Sequence, residues 1–463
     1  MQARQMIIGM ELGNGYGAAA DSWRAPGVDP ADYLDYDVRI RHARAAERGK
    51  LQFLFFPNGP HHVVDIEHFG PQMTPDLIVH SALLARATER IGFVVSASAI
   101  FNYPYTLAQQ LKTVDYISHG RVAWNVVASA HPEVAANFGS AVLPGKDRYG
   151  RAWESVELVQ SLWASWGRDA WTHDQAAGQY TRPGGVKPVD FAGNYVTSRG
   201  PLYIPPSDQG QPVMVHSGLG PDSFRLAGRC ADLVVGLASS IEDARSQRET
   251  LRRYTAEAGR DPDGVKFIAG FYPTVARTKR EAIERRVSLL QSQFPQLVPQ
   301  LGELLGVPLT MDDLDRVLEP DEIGALRPPH PDMPIWEHAR IPRAHALASE
   351  GWSVRDILAL GVFDEHPAKV GTATEAADHM QEWFESGAID GFWIIIDVYD
   401  DGIDSFVDNV VPILQNRGLF HRDYEGTTLR EHLGAREQYG PDYRVAQTAR
   451  PEQPQHSTLP EGQ

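Results

Sequence analysis

Leu51-Gln52-Phe53-Leu54-Phe55-Phe56 is the stretch on which the fold turns. Its apolar side chains fall on both alternating faces, so a strand made from it has no face to offer water and suits a parallel sheet covered by helices. Similar short runs, rich in β-branched and aromatic residues, recur at Gln5–Leu12, Ile91–Ser98, Arg121–Val127, Pro212–Ser217, Leu233–Gly236, Val265–Val275 and Gly391–Val398; extended to Pro57, the first makes them eight. Helix-like spacing fills the gaps at Asp32–Arg48, Thr74–Glu89, Thr106–Ser118, Asp147–Trp166, Asp222–Arg229, Ile241–Ala258, Lys279–Phe294 and Asp404–Arg417. This alternation predicts an α/β protein, a (β/α)8 TIM barrel, over residues 1–433.

The chain has 463 residues, long for one barrel, and 41 Gly with 33 Pro predict long loops. Two insertions account for the excess. Residues 165–211 are crowded with Gly, Pro and polar side chains and lack periodicity. Residues 295–374 separate the seventh and eighth strands by more than a loop, with helical spacing inside at Met311–Leu318 and Val354–Leu360. From Gly434 to Gln463 the apolar pattern is lost, which predicts a tail. The net charge of −17 argues against a nucleic-acid partner. The single cysteine, Cys230, an N-terminus without a leader pattern and the lack of a long apolar stretch predict a cytoplasmic protein that crosses no membrane.

Several motifs invite chemistry and fail on spacing. Gly13-Asn14-Gly15-Tyr16-Gly17 follows a strand, but position 18 is Ala and a loop replaces the helix a dinucleotide fingerprint needs. His61, His62, Asp65 and His68 have no second His or Cys pair to complete a metal shell, so no metal site is expected. Asp397, Asp400, Asp401 and Asp404 resemble a calcium loop whose third position is Tyr399, and read better as a solvated acidic turn. His216-Ser217-Gly218 lacks the glycine of a nucleophile elbow, having Val215 there. Ser217-Gly218-Leu219-Gly220, by contrast, ends a strand just before a helix, where free N–H groups and the helix dipole favour a phosphate. An ordinary βα turn explains that segment equally well.

Trp23-Arg24, Phe55-Phe56-Pro57-Asn58-Gly59-Pro60, Trp124-Asn125-Val126-Val127-x-Ser129, Arg148-Tyr149 and Tyr424-Glu425-Gly426-Thr427-Thr428-Leu429-Arg430 occur in order along nearly the whole chain. On these strings the chain resembles the flavin-dependent nitrilotriacetate monooxygenase family of the bacterial-luciferase superfamily. The resemblance implies a luciferase-like barrel that takes FMNH2 from a separate NAD(P)H:flavin reductase and, with O2, oxygenates a small organic substrate through a C4a-(hydro)peroxyflavin. The substrate classes it suggests are xenobiotics, organosulfur compounds and aminocarboxylates. Reaction of this kind is the cofactor's chemistry, with the protein excluding water and holding the substrate. A homodimer or homotetramer is expected. Two rival readings are a deazaflavin-dependent oxidoreductase on the same barrel and a non-catalytic flavin-binding protein.

Carried over by position, the resemblance assigns Asn58, Ser96, Ser98, Asn125 and Ser129 to the flavin ring and ribityl chain, and Tyr149, Ser217, Gly218, Leu219 and Gly220 to its phosphate. Asn58 stands where the family usually has an acid. Gly145 replaces a family histidine, and Gly218-Leu219-Gly220 a Gly-Ser-Ser turn, which points to weaker FMN binding. His131 is the candidate proton donor, although a surface-loop histidine before Pro132 fits equally. The 295–374 insertion should act as a lid carrying Trp336 and Trp352, with oligomer contacts the alternative.

Overall fold

Eight parallel strands close on themselves: β1 (Ile7–Glu11), β2 (Phe53–Phe56), β3 (Gly92–Ser98), β4 (Val122–Val127), β5 (Val213–Ser217), β6 (Leu233–Gly236), β7 (Lys266–Val275) and β8 (Gly391–Ile394). They pair in chain order, and β8 returns to β1 with Gly391 beside Ile7 and Trp393 beside Gly9. The computed structural model describes residues 4–57, 59–61, 67–71, 73, 75–326 and 339–439. Each of the eight expected runs holds one barrel strand.

The helices that follow the strands are α1 (Tyr36–Arg48), α2 (Leu77–Ala87), α3 (Pro104–Ile117), α4 (Gly145–Trp163), α5 (Pro221–Cys230), α6 (Ile241–Glu257) and α7 (Lys279–Leu289). Tyr399–Ser405 and Val411–Asn416, joined by a π-helical turn, cover β8. Strand residues split by parity. Ile8, Met10, Leu54, Phe56, Phe93, Val95, Trp124 and Val126 pack outward on the helices, whereas Ile7, Phe53, Phe55, Val94, Ala123, Val215, Val235, Ile268 and Trp393 fill the lumen. Both faces of every strand are therefore buried, as the uninterrupted apolar runs require.

The lumen is closed at its N-terminal end by the Tyr424–Arg430 motif. Thr428 caps a short helix, Leu429–His432, in a capping box with Glu431, and Leu429 and Leu433 enter the lumen cluster. Arg430, 1 % exposed, donates to the carbonyls of Gln211 (2.9 Å), Pro212 (3.0 Å) and Arg436 (2.9 Å) and pairs with buried Asp232 at 3.3 Å. This motif is a floor, far from the strand C-termini where barrel sites form.

The insertions differ in kind. Residues 165–211 hold two small antiparallel ladders, Trp171–Asp174 with Gln179–Thr181 and Phe191–Ala192 with Thr197–Ser198. Within 295–374 lie the helices Arg340–Ser349 and Val354–Ala359, most of Phe294–Leu305, and a strand, Ala368–Gly371, that extends the sheet beside β7. This insertion builds a core of its own from Val298, Leu301, Leu305, Val354 and Ile357. Met311–Leu318 forms only one 3-10 turn at Met311–Asp313, opened by a capping box in which Asp313 accepts from Thr310.

Candidate active site at the barrel mouth

The inward parity of each strand carries through to its C-terminal end, and there the lumen turns from apolar to polar. On β3, β4 and β5 the inward residues are Ser96, Ser98, Asn125 and Ser217. Ser96 sits beside Asn125, and Asn125 beside Val215, in the ladder. Asn125 Nδ2 donates to Ser96 Oγ at 2.8 Å and to Ser217 Oγ at 3.3 Å. Ser129 Oγ donates to Ser98 Oγ at 2.9 Å, and Ser98 Oγ accepts the N–H groups of Ile100 and Phe101, both at 3.2 Å. The expected set thus forms one amide–hydroxyl group, Ser96–Asn125–Ser217, and one hydroxyl pair, Ser98–Ser129.

Ser217 opens into the turn Gly218-Leu219-Gly220, which delivers the chain to α5. Gly218 and Gly220 have φ of 145° and 98°, and a Cβ on Gly218 would come within 2.6 Å of Ser223 Oγ. Gly220 is the N-cap of α5 and supplies no side-chain cap, so the first-turn N–H groups face outward without a protein acceptor from that residue. Leu219 packs on the outer core. Beneath the turn, buried His216 shares a 2.9 Å hydrogen bond with Val126 O and a 2.7 Å one with Ser223 Oγ. With Nδ1–H committed to the carbonyl, Nε2 accepts the Ser223 hydroxyl. Burial pushes His216 down to about 4, so it is a neutral brace for the turn.

Tyr149 lies in the second turn of α4, half-buried against the outer core, next to Arg148, whose guanidinium is 5.3 Å from its ring centre. Arg148 Nε is buried without a hydrogen-bond partner, and α4, like α5, begins with no side-chain cap. α4 packs on α5, which brings the two uncapped helix starts to one side of the barrel.

His131 is 55 % exposed and caps the short helix Pro132–Asn137; its Nδ1 lies 2.6 Å from Glu133 Oε2. Its ring lies 4.2 Å from that of His61, and Asn137 Nδ2 donates to Pro60 O at 2.6 Å, so the loops after β2 and β4 meet across the mouth. Asn58, His62 and Asp65 lie outside the described residues. Among the described residues no three His, Cys, Asp or Glu side chains gather as a metal site.

Two sequence expectations change. The acidic turn is solvated only in part: the Asp401 and Asp404 side chains are 61 % and 51 % exposed, but Asp397 is buried and grips Arg285 at 2.8 and 3.0 Å, and Asp400 holds Arg41 at 2.6 Å and His42 at 2.9 Å. Trp352 is committed to the seam between the insertion's core and α7, under the Lys279 ammonium, with its Nε1 bonded to Glu350. Trp336 lies outside the described residues. The insertion instead sends His366 into the barrel, where it fills the space beside Gly270 and lies 5.0 Å from the Trp393 ring. The sequence reading missed Arg148 as a ligand candidate, and also His216, His366 and Glu11. Arg148 stood beside Tyr149 in a matched string, His216 in the rejected elbow, and Glu11 was a carboxylate within an otherwise apolar strand run; His366 had no such signal.

A family model described as luciferase-like monooxygenase matches residues 18–390. The chain is 32 % identical over 442 residues to N-acetyl-S-(2-succino)cysteine monooxygenase of Bacillus subtilis (strain 168), covering 93 % of this chain and 97 % of the relative. It is 31 % identical to nitrilotriacetate monooxygenase component A of Aminobacter aminovorans, over 89 % and 92 % of the two chains. Among solved structures, EDTA monooxygenase from Chelativorans sp. BNC1 superposes with a TM-score of 0.79 at 31 % identity, covering 95 % of this chain and all of that one.

Proposed function

The chain belongs to the luciferase-like monooxygenase family, and on that premise we propose that it is the oxygenating component of a two-component, FMN-dependent system. FMNH2 supplied by a separate NAD(P)H:flavin reductase and O2 are its co-substrates, and a small organic molecule is oxygenated. The observation that carries the reading is the uncapped Ser217–Gly220 turn at the start of α5, placed beside the polar strand ends of β3–β5. A nucleotide phosphate needs donors and positive potential; the N–H groups of this turn, Tyr149 OH and the partnerless Nε of Arg148 are fitted to provide them. Arg148 offsets the side chains missing at Gly145 and Leu219. The amide–hydroxyl group and the hydroxyl pair suit the flavin's polar edge and ribityl hydroxyls, since Asn125, Ser96, Ser98 and Ser129 both donate and accept.

Bound FMNH2 supplies the O2-activating chemistry. The protein's own contribution is to hold the phosphate at the α5 turn, fix the ring by Asn125 and the serines, and keep water out with the His61–His131 loop contact. His131, paired with Glu133, is placed to deliver a proton at the mouth. The companion reductase is needed because no dinucleotide fingerprint is present. The test is product formation under labelled oxygen with an external reductase. Oxygenated product only when reductase is present is expected; NADH oxidation at catalytic rates by the protein with FMN and no reductase would overturn the two-component reading.

A further inference from the structure

The polar strand ends occupy half of the mouth; the β1, β7 and β8 half holds a different set. Glu11 is the last residue of β1 and shares inward parity with Ile7, which lies in the lumen. Phe55 is its neighbour on β2, and the Phe55 ring lies 5.2 Å from Trp393 of β8. Glu11 is 5 % exposed, and no described residue hydrogen-bonds to or pairs with its carboxyl. Trp393 Nε1 and His366 Nδ1, in contact rings on the same side, are also buried without partners. Tyr272 of β7 and Tyr399 beyond β8 are the titratable groups that feel Glu11, and burial keeps both phenols neutral. Two guanidiniums lie beyond these phenols: that of Arg286, 4.2 Å from the Tyr272 ring centre and bound to Asp364, and that of Arg39, which donates to the carbonyls of Asn14 and Tyr33 and acts on Tyr399.

A buried carboxyl without partners is costly, and Glu11, Trp393 Nε1 and His366 Nδ1 leave three polar groups without protein partners together at the β1 and β8 end of the lumen. We propose that Glu11 is a specificity-determining residue: it anchors a substrate through a hydrogen-bond donor, an amine nitrogen, and rejects one presenting a carboxylate there. The proposal rests on the monooxygenase reading, in which the flavin takes the β3–β5 half and the substrate the β1–β8 half. Desolvation pushes the Glu11 carboxyl up to about 8, so at neutral pH it stands protonated. An arriving alkylammonium converts it to a carboxylate–ammonium pair, and the acid proton leaves to the buffer. A carboxylate ligand would face a neutral acid at best and a like charge at worst.

The test uses the full chain loaded with FMN and two matched probes, hexylamine hydrochloride and sodium hexanoate, in calorimetric titrations at pH 7 in buffers of different ionisation enthalpy. Hexylammonium should bind the wild type and release roughly one proton per ligand. Glu11→Gln should weaken it about tenfold or more and abolish the proton release, while hexanoate binds the wild type more weakly than the amine. Equal amine affinity in wild type and Glu11→Gln, no amine binding to the wild type, or hexanoate binding as tight as the amine would each overturn the proposal. FMN affinity measured in parallel separates the two readings: normal FMN binding with failed probe discrimination removes Glu11 alone, whereas loss of FMN binding by the wild type removes the monooxygenase reading. Glu11→Leu, which keeps an apolar lumen, covers the case in which Glu11→Gln does not fold.

Discussion

Replacing Gly218 with Ala should damage FMN binding far more than the size of a methyl group suggests. At φ 145° an L-residue is strained, which costs about 1–3 kcal/mol. The new Cβ would also sit 2.6 Å from Ser223 Oγ, the atom that donates to His216, and moving it away forfeits a buried hydrogen bond of about 0.5–1.5 kcal/mol. Together these amount to about 1.5–4.5 kcal/mol, and a turn that relaxes to avoid them no longer presents its N–H groups; the FMN dissociation constant should rise about 10- to 1,600-fold. Gly220→Ala meets no atom within 4 Å and suffers only the backbone strain, so about tenfold is expected there. Gly145→Ala, at the start of α4 with open space around it, is the neutral control. Flavin fluorescence quenching reads the affinity and a thermal melt by circular dichroism checks the fold. Adding Ser223→Ala should recover part of the Gly218→Ala loss, because the clash disappears. A folded Gly218→Ala protein with wild-type FMN affinity would refute the turn as the phosphate site.

Tyr149→Phe should weaken FMN about tenfold by removing one hydroxyl from a charged acceptor, and an unchanged titration would take Tyr149 out of the site. Arg430→Met should lower stability by about 3–5 kcal/mol in denaturant unfolding, since Asp232 is left buried without its cation; a loss below ~1 kcal/mol would contradict the floor's role. Burial holds His80, His216, His366, His379 and His432 near 4, below their ordinary value of 6.5. The unfolded chain therefore takes up protons that the fold refuses between pH 6.5 and 4, so stability falls as pH drops through that window, by about 1.4 kcal/mol per pH unit for each histidine fully engaged. Glu11, whose folded value is raised, works the other way and loses stability as pH climbs from 4.5 past 8. An unfolding midpoint that is the same at pH 7 and pH 5 would show that these imidazoles are not held neutral.

The barrel was legible because burial on both faces leaves a mark in single strands: Phe53 to Phe56 needed no partner to be read. Strand-end residues were legible for a related reason, since a serine or asparagine at the end of such a run has to face the mouth, and Ser96, Asn125 and Ser217 do meet there. His366 left no trace, because it reaches the lumen from an insertion and acquires its setting only through Gly270 and Trp393. The acidic residues after β8 misled because their counter-ions, Arg285 and Arg41, come from distant helices. Trp352 was misplaced for lack of any local sign that the insertion has its own core.

The floor has a consequence for synthesis. A growing chain makes β1 almost at once but cannot complete its pairing until Gly391–Ile394 has left the ribosome, and the lumen stays open until Leu429 and Leu433 arrive. During most of its translation the molecule is an unclosed sheet with a bare edge on β1, the condition under which nascent chains recruit chaperones or aggregate. The Tyr424–Arg430 motif therefore acts as the signal that ends this exposure: once Thr428 caps its helix and Arg430 reaches Asp232, the lumen is sealed beneath the closed ring of strands.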